Sequence, residues 1–300
     1  MLVAGTQVET SESAAPKIET AQSQPYLIAQ PEQTFPAQSR YVPERGLVRR
    51  IRSAQANDDL GQLAARHSLD SETRAQLSSE LIKAGAPPIT PVAAEKALAR
   101  MVSFEPLNVD ALRPFVLLAM DRDLRAQALA SVGLAFHSAG RSVRFVSNAA
   151  DTRTHDVLID AGQHIGCGVT PFDGVPNCVE ILRQADLTCL NLIETGFRAP
   201  LNKIAMLRLT TLIQATGSEP VFVMKPEDAG LAAKLSSMGV ERVVLAYDQE
   251  PIELGPVLSV LRAANLSLAE FLDLRGKTAR LRPAQAADLA ALLTDTQPRA

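Results

Sequence analysis

Five short apolar runs punctuate the chain after residue 108: Phe115–Met120, Val143–Val146, Leu187–Ile193, Val221–Met224 and Val243–Ala246. Each is apolar nearly throughout and far shorter than a membrane span. A strand with one wet face would alternate polar and apolar residues, so these runs read as strands buried on both faces of a parallel sheet. The segments between them carry helical spacing instead. Ala205, Met206, Leu209, Leu212 and Ile213 make one stripe, and Leu231, Leu235 and Met238 make another, closed by Gly239. Strand–helix alternation over 108–300 predicts a doubly wound α/β domain with a mostly parallel sheet. Ligands in such folds sit beyond the carboxyl ends of the strands.

The preceding stretch, 45–107, reads as a small helical domain. Thr90-Pro91 opens a helix, because threonine caps free backbone donors and proline has no N–H to lose in the first turn. Asp70 opens another, closed by Gly85, with Leu77, Leu81 and Ile82 at helical spacing. Residues 1–44 differ in kind. Pro, Gln, Ser, Thr and Glu make up 24 of these 44 residues, and the apolar ones have no period. Such a composition predicts a disordered tail.

The net charge of −3 resides in that tail, so the body is neutral and gives no argument for nucleic acid as a partner. Arg45, Arg49, Arg50 and Arg52 beside Val48 and Ile51 leave peripheral contact with an anionic membrane open. Cys167, Cys178 and Cys189 make no disulfide framework or zinc pair and read as small buried residues. The histidines, His67, His137, His155 and His164, lack carboxylates at ligand spacing, so no metal site is predicted. Met1–Ser13 has neither a basic region nor an apolar core, and the expectation is a cytoplasmic protein.

The turn after the first run reads Ala119-Met120-Asp121-Arg122-Asp123-Leu124-Arg125-Ala126-Gln127-Ala128 before running into helix. A phosphate-binding loop needs glycines there, a lysine for the outer phosphates and a hydroxyl for magnesium. None is present. Gly276-Lys277-Thr278 imitates the end of such a loop, but Phe271 stands where its first glycine belongs, and no long strand is expected before it. Asp151 and Arg153 read as a turn aspartate and a solvated arginine.

The order and spacing of these segments resemble the GTPases of the signal-recognition-particle (SRP) group, most of all its flagellar member FlhF. Asp151-Thr152-Arg153 resembles the family's DTYR motif with one residue missing, and Glu194-Thr195-Gly196-Phe197-Arg198 resembles DTAGR. Ala246-Tyr247-Asp248-Gln249-Glu250 with Leu254-Gly255 resembles TKxDE with its later LG. The resemblance implies a P-loop NTPase-like G domain behind a helical N domain. It also implies departures. Counting back from Gly133-Leu134-Ala135 puts Gln127 at the phosphate-loop lysine and Ala128 at the magnesium hydroxyl. Asp121, Leu124 and Ala126 fall on the three glycines. Tyr247 takes the place of the lysine stacked on guanine, Gln249 that of the guanine-binding aspartate, and Phe197 that of the switch glycine.

The expectation is a pseudo-GTPase with a degenerate site, no cofactor, and a protein partner such as a family GTPase or a flagellar or polar component. The alternative is an active GTPase of protein targeting or flagellar biosynthesis, holding GTP and magnesium. Phe197 and Tyr247 are expected either to anchor a partner or to plug an empty pocket.

Overall fold

The computed structural model describes residues 58–294 apart from 86–87, 109, 111–112, 186–187, 197–201, 249–251 and 277. The expected tail, the basic segment Arg45–Arg52, and the site candidates Phe197, Arg198 and Gln249 lie outside the described residues. All described residues belong to one compact unit, Glu44–Ala300.

Residues 58–66 are helical and lead into α1 (Ser71–Lys83) and α2 (Pro91–Met101). Their starts follow the sequence reading. Asp70 accepts from the N–H groups of Glu72 and Thr73, and Thr90 accepts from that of Ala93. Leu77 and Leu81 are buried, but Ile82 faces solvent at 67% exposure, so the stripe on α1 is narrower than its spacing suggested. Strand β1 (Ser103–Phe104) then joins the sheet from a stretch read as helical.

The chain continues as β2 (Phe115–Leu118), α3 (Arg122–Ser138), β3 (Ser142–Asn148), α4 (Thr152–Ile165), β4 (Val169–Phe172) and α5 (Gly174–Arg183). Next come β5 (Cys189–Glu194), α6 (Lys203–Thr216), β6 (Glu219–Met224), a 3-10 turn Pro226–Asp228 and α7 (Ala229–Ser236). The last elements are β7 (Arg242–Tyr247), α8 (Leu254–Ala263), β8 (Ser267–Asp273), β9 (Arg280–Pro283) and α9 (Ala286–Thr294).

Strand order is β1-β8-β7-β6-β2-β5-β3-β4, all parallel, with β9 antiparallel on the outer edge of β8. All five expected strands are present. The sheet holds four more among the described residues, because short or partly polar strands lack the uniform apolar signal. One of them, β8, corrects the reading of Gly276-Lys277-Thr278. A seven-residue strand does precede that tripeptide, but an antiparallel strand follows it where a phosphate loop would open a helix.

Period-two alternation sends Val116 and Leu118 to one face of the sheet and Phe115 and Leu117 to the other. The first face packs against α1, α2, α5, α6, α7, α8 and α9, and the second against α3 and α4. Helices on both faces explain why the central strands are mostly apolar. They also leave the carboxyl ends of β2, β3, β5, β6 and β7 as one rim, where the site candidates gather.

Candidate functional site

The connection from β2 to α3 is only Ala119-Met120-Asp121. The sequence reading had the turn running as far as Ala128, whereas the helix has already begun at Arg122. Asp121 is its N-cap, and its Oδ1 accepts the Leu124 N–H at 2.7 Å. A donor that a phosphate loop would offer to an anion is thus bonded to an aspartate. Gln127 is exposed one turn further on, and Ala128 is buried in the core under α3, as are Leu124 and Ala126.

Arg125 is fully buried beneath this turn. Its Nε donates to Glu194 Oε1 at 2.7 Å, its Nη2 to Asp151 Oδ2 at 3.2 Å, and its Nη1 to the Ala119 carbonyl at 3.2 Å. Glu194 ends β5 with no exposed surface, and Asp151, the N-cap of α4, is 2% exposed. The reading of Asp151 as an ordinary turn residue is therefore corrected. It also accepts from the Thr154 N–H, and Arg122 pairs with it from the solvent side at 3.3 Å. Two cations and two carboxylates balance, which a buried cluster requires. Arg153 behaves as expected, exposed and paired with exposed Asp123.

Glu194 also orders the turn that follows it. Its Oε1 accepts the Gly196 N–H at 2.6 Å and its Oε2 the Asn148 N–H at 3.3 Å. The Asn148 side chain donates to the Thr195 carbonyl at 3.1 Å. Gly196 has φ +65°, and a Cβ there would lie 2.9 Å from the Asn148 amide nitrogen. A side chain at this position meets both backbone strain and a clash. Burial pushes the Glu194 carboxyl above the usual glutamate range, opposed by the Arg125 guanidinium and the Gly196 N–H.

Further along the rim, Lys225 after β6 pairs with Asp248 after β7 at 2.7 Å. The hydrogen bond to Asp248 raises the lysine, and the same bond lowers the aspartate. Beside them lies a cavity of about 350 Å³, lined among others by Pro226, Glu227, Tyr247, Ile252 and Glu253. Tyr247 is only 3% exposed. Its ring meets Phe271 edge-on at 6.3 Å and lies under the Arg275 guanidinium at 5.1 Å. It packs the interior, in keeping with the second of its two expected roles, a plug rather than a partner anchor.

Comparison with known proteins places this geometry. No family model matches the sequence, and no curated protein matches it. Among solved structures, chloroplast FtsY from Physcomitrella patens superposes with a TM-score of 0.65 at 16% identity, covering 83% of this chain and 93% of that one. FlhF complexed with GTP and Mg²⁺ superposes at 0.60 and 13%, covering 80% and 98%. The signal recognition particle 54 kDa protein from Aeropyrum pernix, in complex with GDP, superposes at 0.64 and 14%, covering 83% and 65%. The chain has the fold of the SRP-type GTPases.

In this SRP-GTPase-like fold the rim brings together Asp121, Asp151, Glu194 and Thr195 on one side and Tyr247 on the other, while Gln127 and Arg153 point outward. Sequence reasoning missed Arg125, Arg122, Asn148 and Lys225, and nothing in their local pattern marks them. Among the described residues, no group of three or more His, Cys, Asp or Glu is placed to hold a metal ion. Cys178 is buried, with its thiol pushed up to about 11 by desolvation, whereas Cys167 and Cys189 are half-buried, against expectation. Among the described residues no helix is long and apolar enough to cross a membrane.

Proposed function

We propose that the protein is a pseudo-GTPase of the SRP/FlhF type, catalytically inactive, acting as a protein-binding regulator in flagellar assembly or placement. The observation that carries this reading is the Arg125 guanidinium, fully buried between Glu194 and Asp151. In the resemblance to DTAGR and DTYR these are the two acidic positions of the nucleotide site. Here both carboxylates are taken by an internal cation, and the Asp121 cap takes a donor that would meet a phosphate. Magnesium finds no hydroxyl at Ala128, and a triphosphate meets Asp121 and Asp123 without a lysine at Gln127. The residues present do not fit either group. Separating a buried ion pair costs about 3–5 kcal/mol, and each ~1.4 kcal/mol is tenfold in affinity. The flagellar setting is carried by likeness to FlhF, and the partner in this reading is a family GTPase or a flagellar or polar component.

A second reading, a GTP-binding member of the group, draws on the cavity beside Lys225 and Asp248 at the carboxyl ends of β6 and β7. Calorimetric titration with GTP, GDP and ATP in the presence of magnesium decides between them. The pseudo-GTPase reading expects no binding tighter than about 0.1 mM. Binding of that strength would raise stability by about 1.4 kcal/mol at 1 mM nucleotide, and a clear rise in melting temperature with GTP would overturn the reading.

A further inference from the structure

Among the described residues, helix α6 presents an unpartnered seam. Ile204 and Leu207 are 63% and 67% exposed, and three-residue spacing puts them on one face. Thr211 and Ala215 continue the line and are also exposed. The Thr211 hydroxyl donates back to the Leu207 carbonyl at 2.8 Å, so its methyl group is free to make contacts. The four positions run up the helix at intervals of three, four and four residues, about 16 Å in all. Other exposed aliphatics do not assemble in this way. Ile82 and Val92 stand singly on α1 and α2, and Leu134, Val157 and Ile159 are at most 40% exposed.

Charge flanks the seam on one side of the ledger only. Lys203 and Arg208 are exposed, neither makes an ion pair among the described residues, and α6 carries no acidic residue. Lys203 opens the helix, where the backbone dipole is already positive. The face is apolar in the middle and cationic at its rim, with small residues in its second half that let another backbone approach.

We propose that α6 is a docking face for an acidic amphipathic helix of a partner protein, a proposal that rests on the protein-binding reading above and gives that partner its chemistry. A helix with aliphatic residues at heptad spacing would lay its stripe along Ile204, Leu207, Thr211 and Ala215, its carboxylates meeting Lys203 and Arg208. An anionic bilayer matches less well. Two basic residues are too few to hold the helix on a lipid surface, and half of the seam is too small to insert.

The test uses the full chain and two fluorescein-labelled helical peptides of about three heptads. Both carry leucine at the core positions, one with glutamate flanks and one with lysine flanks, and binding is read by fluorescence anisotropy. The glutamate peptide is expected to bind at least tenfold more tightly than the lysine peptide. Ile204→Ser with Leu207→Ser should weaken it at least tenfold, and Lys203→Glu with Arg208→Glu should reverse the preference. All four side chains are exposed, so melting temperatures should stay near that of the parent protein. No binding of the glutamate peptide, or binding to phosphatidylglycerol vesicles in its place, overturns the proposal. Equal binding to parent and seam variants moves the docking site elsewhere and leaves the protein-binding reading standing. Tight GTP binding together with seam-dependent peptide binding would remove the pseudo-GTPase reading and keep this face.

Discussion

The Nε of Arg125 lies 2.7 Å from the carboxylate of Glu194, and neither side chain reaches solvent. Removing the cation leaves Glu194 buried among backbone N–H groups, with Asp151 paired only to Arg122 at the surface. Arg125→Ala should therefore destabilise the fold by about 3–5 kcal/mol. The double variant Arg125→Met with Glu194→Gln should recover part of that loss, because no net charge is then stranded. Urea midpoints of the parent, single and double variants measure both effects. A single variant as stable as the parent would remove the ion cluster from the account.

Glu270 supplies a pH dependence. It lies in β8 at 5% exposure and accepts the Leu107 N–H at 3.2 Å. Burial raises its carboxyl from 4.5 to about 7, with the Leu107 bond opposing. The folded protein then holds this proton where the unfolded chain releases it. The stabilising contribution is complete below the unfolded value and is lost as pH rises through the folded one. Stability should fall between about pH 5 and about pH 8, by about 2 kcal/mol from this group. Glu270→Gln should flatten that slope and be the more stable protein at the alkaline end. Denaturation at several pH values checks it, and an unchanged slope would exclude Glu270 as the source.

Gly255, at the start of α8, donates its N–H to the His67 carbonyl at 2.7 Å. A Cβ at this position would overlap the carbonyl oxygens of His67 and Ser68, which are backbone atoms and cannot rotate away. The His67 ring is itself buried between the carbonyls of Ile252 and Leu293, 2.9 Å from each. Gly255→Ala should cost about 1–3 kcal/mol through overpacking, and amide exchange around His67 and Gly255 should speed up more than in the sheet. Uniform exchange across the protein would argue against a local effect.

Tyr247 is a packing residue, so truncating it should behave as a core cavity. Tyr247→Ala is expected to lose about 3–5 kcal/mol, whereas Tyr247→Phe keeps the ring against Phe271 and should lose about 1 kcal/mol with the hydroxyl. Thermal melts of both variants distinguish this from a surface role, under which neither would move.

The central strands were legible because burial on both faces leaves few polar positions, so β2, β3, β5, β6 and β7 stand out as mostly apolar runs. Strand β4 carries Pro171 on an edge, and β8 is interrupted by Glu270, so neither shows that signal. The caps at Asp70 and Thr90 were legible because a cap acts within one turn. The seam on α6 was half legible. Its buried stripe through Leu209 and Leu212 follows from periodicity, but which other apolar residues stay uncovered depends on what packs beside the helix.

Local pattern therefore determined the fold class, the helix starts and the absence of glycines from the turn after β2, since each is written in residues close together in the chain. Only the tertiary structure decided what that turn packs against. Arg125 reads in sequence as one more cation in the first turns of a helix, and its partners are 26 and 69 residues away. The parallel sheet brings those distant strand ends to one rim, and burial there converts an ordinary arginine into the centre of an ion cluster. Tyr247 changed meaning for the same reason. Its motif position left open a surface anchor or a buried plug, and the packing of β8 beside β7 enclosed it. Burial is set by elements far apart in sequence, and no local spacing encodes it.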